Sequence, residues 1–92
     1  MSLPDETFTA DELAKFYASC DDSVNLINGV IADNWTNNNY ATATQAQKND
    51  MVNRNVTSLE WRMSIDAIIA DSTSKTPYTN AITAGKAYIA AN

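Results

Sequence analysis

The chain of 92 residues contains no histidine and a single cysteine, Cys20. Histidine is the commonest general base and the commonest metal ligand, so its absence argues against an enzyme and against a metal site. A lone cysteine cannot form an intrachain disulfide, which favours a reducing compartment. Because Cys20 falls on an apolar helix stripe, we expect a buried structural thiol. We expect no catalytic residues, no metal and no cofactor.

Glycine and proline are also scarce, at two residues each, and long apolar runs are missing. With 45% hydrophobic and 18% charged residues, the composition is that of a folded domain. No stretch approaches the roughly 18 apolar residues of a membrane span. The N-terminus is acidic where a signal peptide would be basic. We therefore expect a cytoplasmic or virion protein that is neither secreted through a signal peptide nor bound to a membrane.

Basic residues are few, six against eleven acids, which gives a net charge of −5. Residues 1–33 hold seven acids and one base, whereas residues 34–92 hold four acids and five bases. Binding to nucleic acid depends on clustered lysine and arginine, so this distribution predicts no nucleic-acid partner. It permits a basic protein partner, although an acidic face is most often simply solvated.

What the chain does have is three apolar stripes at helix spacing, which predict a single all-α domain over residues 1–92. Residues 1–8 are expected to form an extended arm. A first helix over about 9–33 begins at Thr9, which forms a capping box with Glu12. Its apolar stripe consists of Leu13, Tyr17, Cys20, Val24, Ile27 and Ile31.

A second helix is predicted over about 44–71, where Thr44 and Gln47 form another capping box. Its main stripe carries Leu59 and Met63, which we expect to pack against the stretch from Val24 to Ile31 in an antiparallel pair. Later in this helix, Asp66 lies near the edge of the stripe. Asp66 is therefore expected to be partly buried, with either a helix-capping role or a salt bridge to Arg62.

A third helix is predicted over about 77–91, with Pro77 in its first turn. Gly85 lies on its apolar stripe and should allow a close approach by a neighbouring helix. The fold class is thus an all-α three-helix bundle, made of a long antiparallel pair and a shorter third helix.

Five large apolar residues are candidates for contact with another chain. Trp61, Ile65 and Ile68 fall on the side of the second helix that faces away from the first helix. The short, alanine-rich third helix is expected to cover this side only in part, although it could instead cover it completely and make it ordinary core. Trp35 and Tyr40 lie in an asparagine-rich loop, although they could instead fold back to close the end of the bundle. Uncovered apolar area of this kind is typical of an association site.

These features predict a non-enzymatic structural or interaction subunit that binds a protein partner or forms a homo-oligomer. The Asn-, Thr- and Ala-rich, histidine-free composition is compatible with a virion or tail protein of a bacterial virus. The alternative is a small acidic regulator that inhibits a host enzyme or a nucleic-acid-binding protein. A structural subunit would occur in fixed, high copy in one particle, whereas a regulator would bind a basic target.

Overall fold

In the computed structural model, residues 8–33 and 43–92 are described, and they form helices without any strand. The all-α bundle predicted from the sequence is confirmed. The predicted arm lies outside the described residues apart from Phe8, and so does the loop that contains Trp35 and Tyr40. The helices are α1 (Ala10–Ala32), α2 (Gln45–Met63), α3 (Asp66–Ala70) and α4 (Thr76–Ala91).

Both predicted capping boxes are present. The amide of Glu12 donates to the Thr9 hydroxyl at 3.1 Å, and the Thr9 amide donates to the Glu12 carboxylate at 2.9 Å. Thr44 and Gln47 repeat the arrangement at the start of α2. Each box satisfies amides of the first turn that have no partner within the helix, so these residues fix where the two long helices begin.

Two contacts establish that α1 and α2 are antiparallel. Near the end of α2, Arg62 donates to the Ser19 hydroxyl at 2.6 Å. Near its start, Lys48 lies 3.8 Å from a carboxylate oxygen of Asp33, at the end of α1. Met63 follows Arg62 directly and is partly buried against the core cluster, and its predicted packing against residues 24–31 stays a prediction. Periodicity alone does not determine the register of the pair, because a slip of one helical turn returns the same stripe to the same face.

The helix α4 is parallel to α1 and antiparallel to α2. Near the start of α4, the Tyr78 hydroxyl donates to Asp21, which lies in the middle of α1. Further along, Gly85 lies between α1 and α2. A Cβ atom built on Gly85 would be 2.5 Å from Cγ2 of Val56 and 3.4 Å from Cγ2 of Ile27. The missing side chain thus lets α4 approach both long helices, in agreement with the expectation for Gly85.

The core runs along the axis of the three long helices and contains Tyr17, Cys20, Val24 and Ile27 of the predicted α1 stripe. Ile31 of that stripe is 39% exposed, and its neighbour Val30 is buried instead. Cys20 has no exposed surface, which confirms it as a buried thiol. The remaining buried members of this cluster are Ile27, Val30, Val52, Val56, Leu59, Tyr78 and Ala81.

The predicted helix over 44–71 is instead two helices, because α2 ends at Met63 and α3 begins at Asp66. The Ser64 hydroxyl donates to the Trp61 carbonyl at 2.6 Å, and Ile65 is extended, with φ −69° and ψ 126°. Serine hydroxyls compete for carbonyls in this way and weaken helix continuation. The break redirects the chain into the connection that leads to α4.

Candidate interaction surface

Trp61 is the most exposed large apolar side chain among the described residues, at 66% of its surface. It lies in the last turn of α2, on the side that faces away from α1 and α4. The Trp61 carbonyl accepts from both the amide and the hydroxyl of Ser64. The ring is therefore exposed on a backbone that is held in place at the end of the helix.

The other predicted interface residues are placed differently. Ile65 is partly buried, and Ile68 has no exposed surface. Their expected alignment with Trp61 assumed a continuous helix, and the break at Ser64 and Ile65 changes the direction of everything that follows. Ile68 packs inside the monomer, so it is not available to another chain in this structure. Trp35 and Tyr40 remain predictions, since they lie outside the described residues.

Ile69 is exposed at 63%, and it was not among the interface residues predicted from the sequence. It follows the buried Ile68, and adjacent residues in a helix point about 100° apart, so one of such a pair can be buried while the other is not. Only knowledge of the break would have shown which of the two faces outward. Trp61 and Ile69 thus lie on either side of the α2–α3 turn.

Behind Trp61, Arg62 joins α2 to α1. Its guanidinium carbon lies 5.8 Å from the centroid of the Phe16 ring, and one nitrogen donates to the Ser19 hydroxyl. The predicted pair between Arg62 and Asp66 is absent, and Asp66 is exposed in the first turn of α3. A partly buried arginine stacked on a ring is held by geometry as well as by charge.

Two tyrosines beside Arg62 complete what we call the aromatic end of the bundle, formed by Phe16, Tyr17, Arg62, Asp71 and Tyr78. The rings of Tyr17 and Tyr78 stack with centroids 5.8 Å apart. The Tyr17 hydroxyl donates to Asp71 at 2.8 Å. Because Asp71 belongs to the connection before α4, this bond ties the connection back to α1.

The ionisation of these groups follows from their surroundings. Burial, followed by the hydrogen bond to Asp71, raises the pKa of Tyr17 to about 12. Burial and the bond to Asp21 likewise raise the pKa of Tyr78. Hydrogen bonds from Thr73 and Tyr17 lower the pKa of Asp71. Both tyrosines are therefore neutral donors at pH 7, and Asp71 is an ionised acceptor.

The hydrogen bonds of these groups hold elements of the fold together. Burial raises the pKa of the Cys20 thiol, which disfavours the nucleophilic thiolate. Within residues 8–33 and 43–92, no group of three or more histidine, cysteine, aspartate or glutamate side chains is arranged to hold a metal ion. Asp21 and Asp22, which loosely resemble the start of a calcium loop, lie inside the continuous helix α1.

In the same described ranges, none of the helices combines the length and the apolar character needed to cross a membrane. Comparison of the chain with protein-family models, with curated proteins and with solved structures gives no match.

Proposed function

We propose that this chain is a non-enzymatic interaction subunit that binds a protein partner at the α2–α3 turn. The observation that carries the proposal is Trp61, whose ring is two-thirds exposed on an ordered helix. Exposing a large apolar ring to water is unfavourable, and tryptophan is among the residues that most often dominate binding energy at interfaces. Ile69 adds a second exposed apolar side chain on the other side of the turn.

The contacts that hold the backbone around Trp61 support the same proposal. Ser64 bonds its carbonyl, and the neighbouring Arg62 is anchored on Phe16 and Ser19 of α1. A side chain presented from a fixed backbone loses less conformational entropy on binding, so it contributes more of its contact energy to affinity. The aromatic end thus serves as a rigid support for an exposed anchor.

We make a broader proposal about the kind of assembly to which the chain belongs, and this proposal rests on composition. A structural subunit, such as a virion or tail protein of a bacterial virus, is supported by the histidine-free, Asn- and Thr-rich sequence. A small acidic regulator remains the alternative. Such a regulator would use the outward face of α1, where Asp11, Asp22 and Asp33 are exposed. Lys15 and Lys48 already lie beside Asp11 and Asp33, which leaves that face only weakly acidic.

The test is affinity purification of the tagged chain from its native source, with quantitative mass spectrometry. Wild type should retain one partner in a fixed ratio, either further copies of the chain or another protein. Trp61→Ala should lose that partner. The matched control is Asn25→Ala, which removes an exposed side chain from the outward face of α1 and should retain it. Equal recovery in all three samples would refute the role of Trp61, and loss in Asn25→Ala alone would favour the acidic-face regulator.

A further inference from the structure

The outward face of α2 is a stripe formed by Asp50, Arg54, Thr57 and Trp61, all of which are exposed. Their spacing of four, three and four residues keeps them on one side of the helix. Arg54 and Trp61 are seven residues apart, which is about two turns or roughly 10 Å along the axis. Within one chain, a cation and a ring so far apart on a straight helix cannot stack.

Charge limits which partner can meet this face. The whole chain carries −5, so two copies repel each other in general. The outward face of α2 is close to neutral, because Asp50 pairs with Arg54 at 2.8 Å and Glu60, beside Trp61, pairs with Lys86 of α4. A second copy that approaches here meets acids that are each paired with a base, whereas the outward face of α1 adds the exposed Asp22 to its paired acids.

Arg54 is available for such a contact. Its Nε atom lies 2.8 Å from a carboxylate oxygen of Asp50, and its side chain is 78% exposed. Tryptophan is the best aromatic partner for a cation, and arginine is the more frequent cation in such pairs. This face therefore carries both halves of a cation–π pair, too far apart to satisfy each other within one chain.

We propose that the partner at this surface is a second copy of the chain, with the two α2 helices antiparallel. A two-fold axis between Thr57 and Ser58 places Arg54 of each copy over Trp61 of the other, so the contact is made twice. Such a pairing is isologous, the commonest arrangement in dimers. Thr57 and Ser58 are small, so the helices can approach closely at the axis.

The inference rests on the proposed function, since it names the partner for the same exposed tryptophan. The contact uses one helix face, so it is smaller than the roughly 1,600 Å² of a standard interface. We therefore expect a reversible dimer with a dissociation constant between about 1 μM and 1 mM. The equilibrium should depend clearly on protein concentration.

Sedimentation velocity of the purified chain over a concentration series tests the pairing. Wild type should pass from monomer to dimer, and both Trp61→Ala and Arg54→Glu should remain monomeric. A mixture of these two variants should recover part of the association, because the mixed dimer keeps one of the two Arg54–Trp61 contacts. Ile31→Ala is the matched control: it removes an exposed apolar group of α1, away from both the stripe and the α2–α3 turn, and should dimerise like wild type.

Circular dichroism of each variant checks that the helices remain, and Arg54→Gln replaces Arg54→Glu if the latter is unfolded. A wild type that stays monomeric throughout would overturn the second copy as partner. The proposed function would still stand if the native source yielded a different partner that depends on Trp61. A dimer that persists in both variants, or one lost in Trp61→Ala but kept in Arg54→Glu, would overturn the cation–π geometry.

Discussion

Midway along the bundle, the three long helices meet through aliphatic side chains, whereas at the aromatic end they meet through rings, hydroxyls and charges. The aliphatic layer consists of Ile27, Val52 and Val56 around Gly85, and every member is buried. The aromatic end depends on the directed bonds of Arg62, Tyr17 and Tyr78. Aliphatic contacts depend on volume and tolerate a slip of one turn, whereas hydrogen bonds specify individual partners.

The comparison also explains where exposed apolar surface occurs. The aliphatic layer is closed on all sides, because Gly85 brings α4 down onto both long helices. At the aromatic end the chain must leave α2 and cross to α4, so the helix breaks and side chains on either side of the break point outward. Trp61 and Ile69 are exposed at this crossing. The proposed interaction surface therefore uses side chains that the core does not need.

The largest expected effect contrasts two residues of α2 that lie two positions apart in the chain but are opposite in burial. Leu59 has no exposed surface, so Leu59→Ala should lower the free energy of unfolding by about 2–5 kcal/mol. Trp61→Ala should change it by no more than about 0.5 kcal/mol, because the ring is largely in water. Urea unfolding of both variants, at concentrations where the chain is monomeric, measures the difference. Equal losses would show that Trp61 belongs to the core.

A second, smaller effect tests how closely α4 packs against α2 in the aliphatic layer. Gly85→Ala places a methyl group 2.5 Å from Cγ2 of Val56, so the helices must shift. Overpacking costs about 1–3 kcal/mol, and the better helix propensity of alanine returns up to about 1 kcal/mol. We expect a net loss of about 1 kcal/mol or more.

The control for this effect is Val56→Ala, which removes the methyl group that Gly85→Ala would strike. In a double-mutant cycle, the combined variant should lose less stability than the sum of the single variants, because each change relieves the other. Strict additivity would mean that α4 already has room beside Val56, and that the close approach at Gly85 is not what seals this layer.

How far the sequence could predict the molecule follows the same division. Periodicity and capping boxes identified the long helices, the start of α1 at Thr9 and the burial of Cys20, because each depends on local geometry. The contact of Arg62 with Ser19 could not be predicted, since these residues are far apart in the chain. The break at Ser64 was missed because a serine inside a helical pattern does not by itself end a helix. Of the candidate surface, Trp61 was placed correctly on an outward face. Ile68 was not, and the exposure of Ile69 was missed, because both residues follow the break.

The smallest effect is a change in the free energy of unfolding with pH, which should arise at the aromatic end. Tyr17 has a pKa raised to about 12, so the folded state holds its proton more tightly than the unfolded chain, in which tyrosine titrates near 10. The stabilisation is therefore complete below about pH 10 and is lost as pH rises from there toward 12.

Tyr17→Phe should cost about 0.5–1.5 kcal/mol at pH 7, the usual value of one hydrogen bond. The variant should also lose less stability than wild type between neutral and alkaline pH. Thermal unfolding of both proteins across this range checks the claim, with Leu59→Ala as a control whose loss should not depend on pH. A Tyr17→Phe variant with the same alkaline decline as wild type would show that the Tyr17–Asp71 bond does not hold the connection to α1.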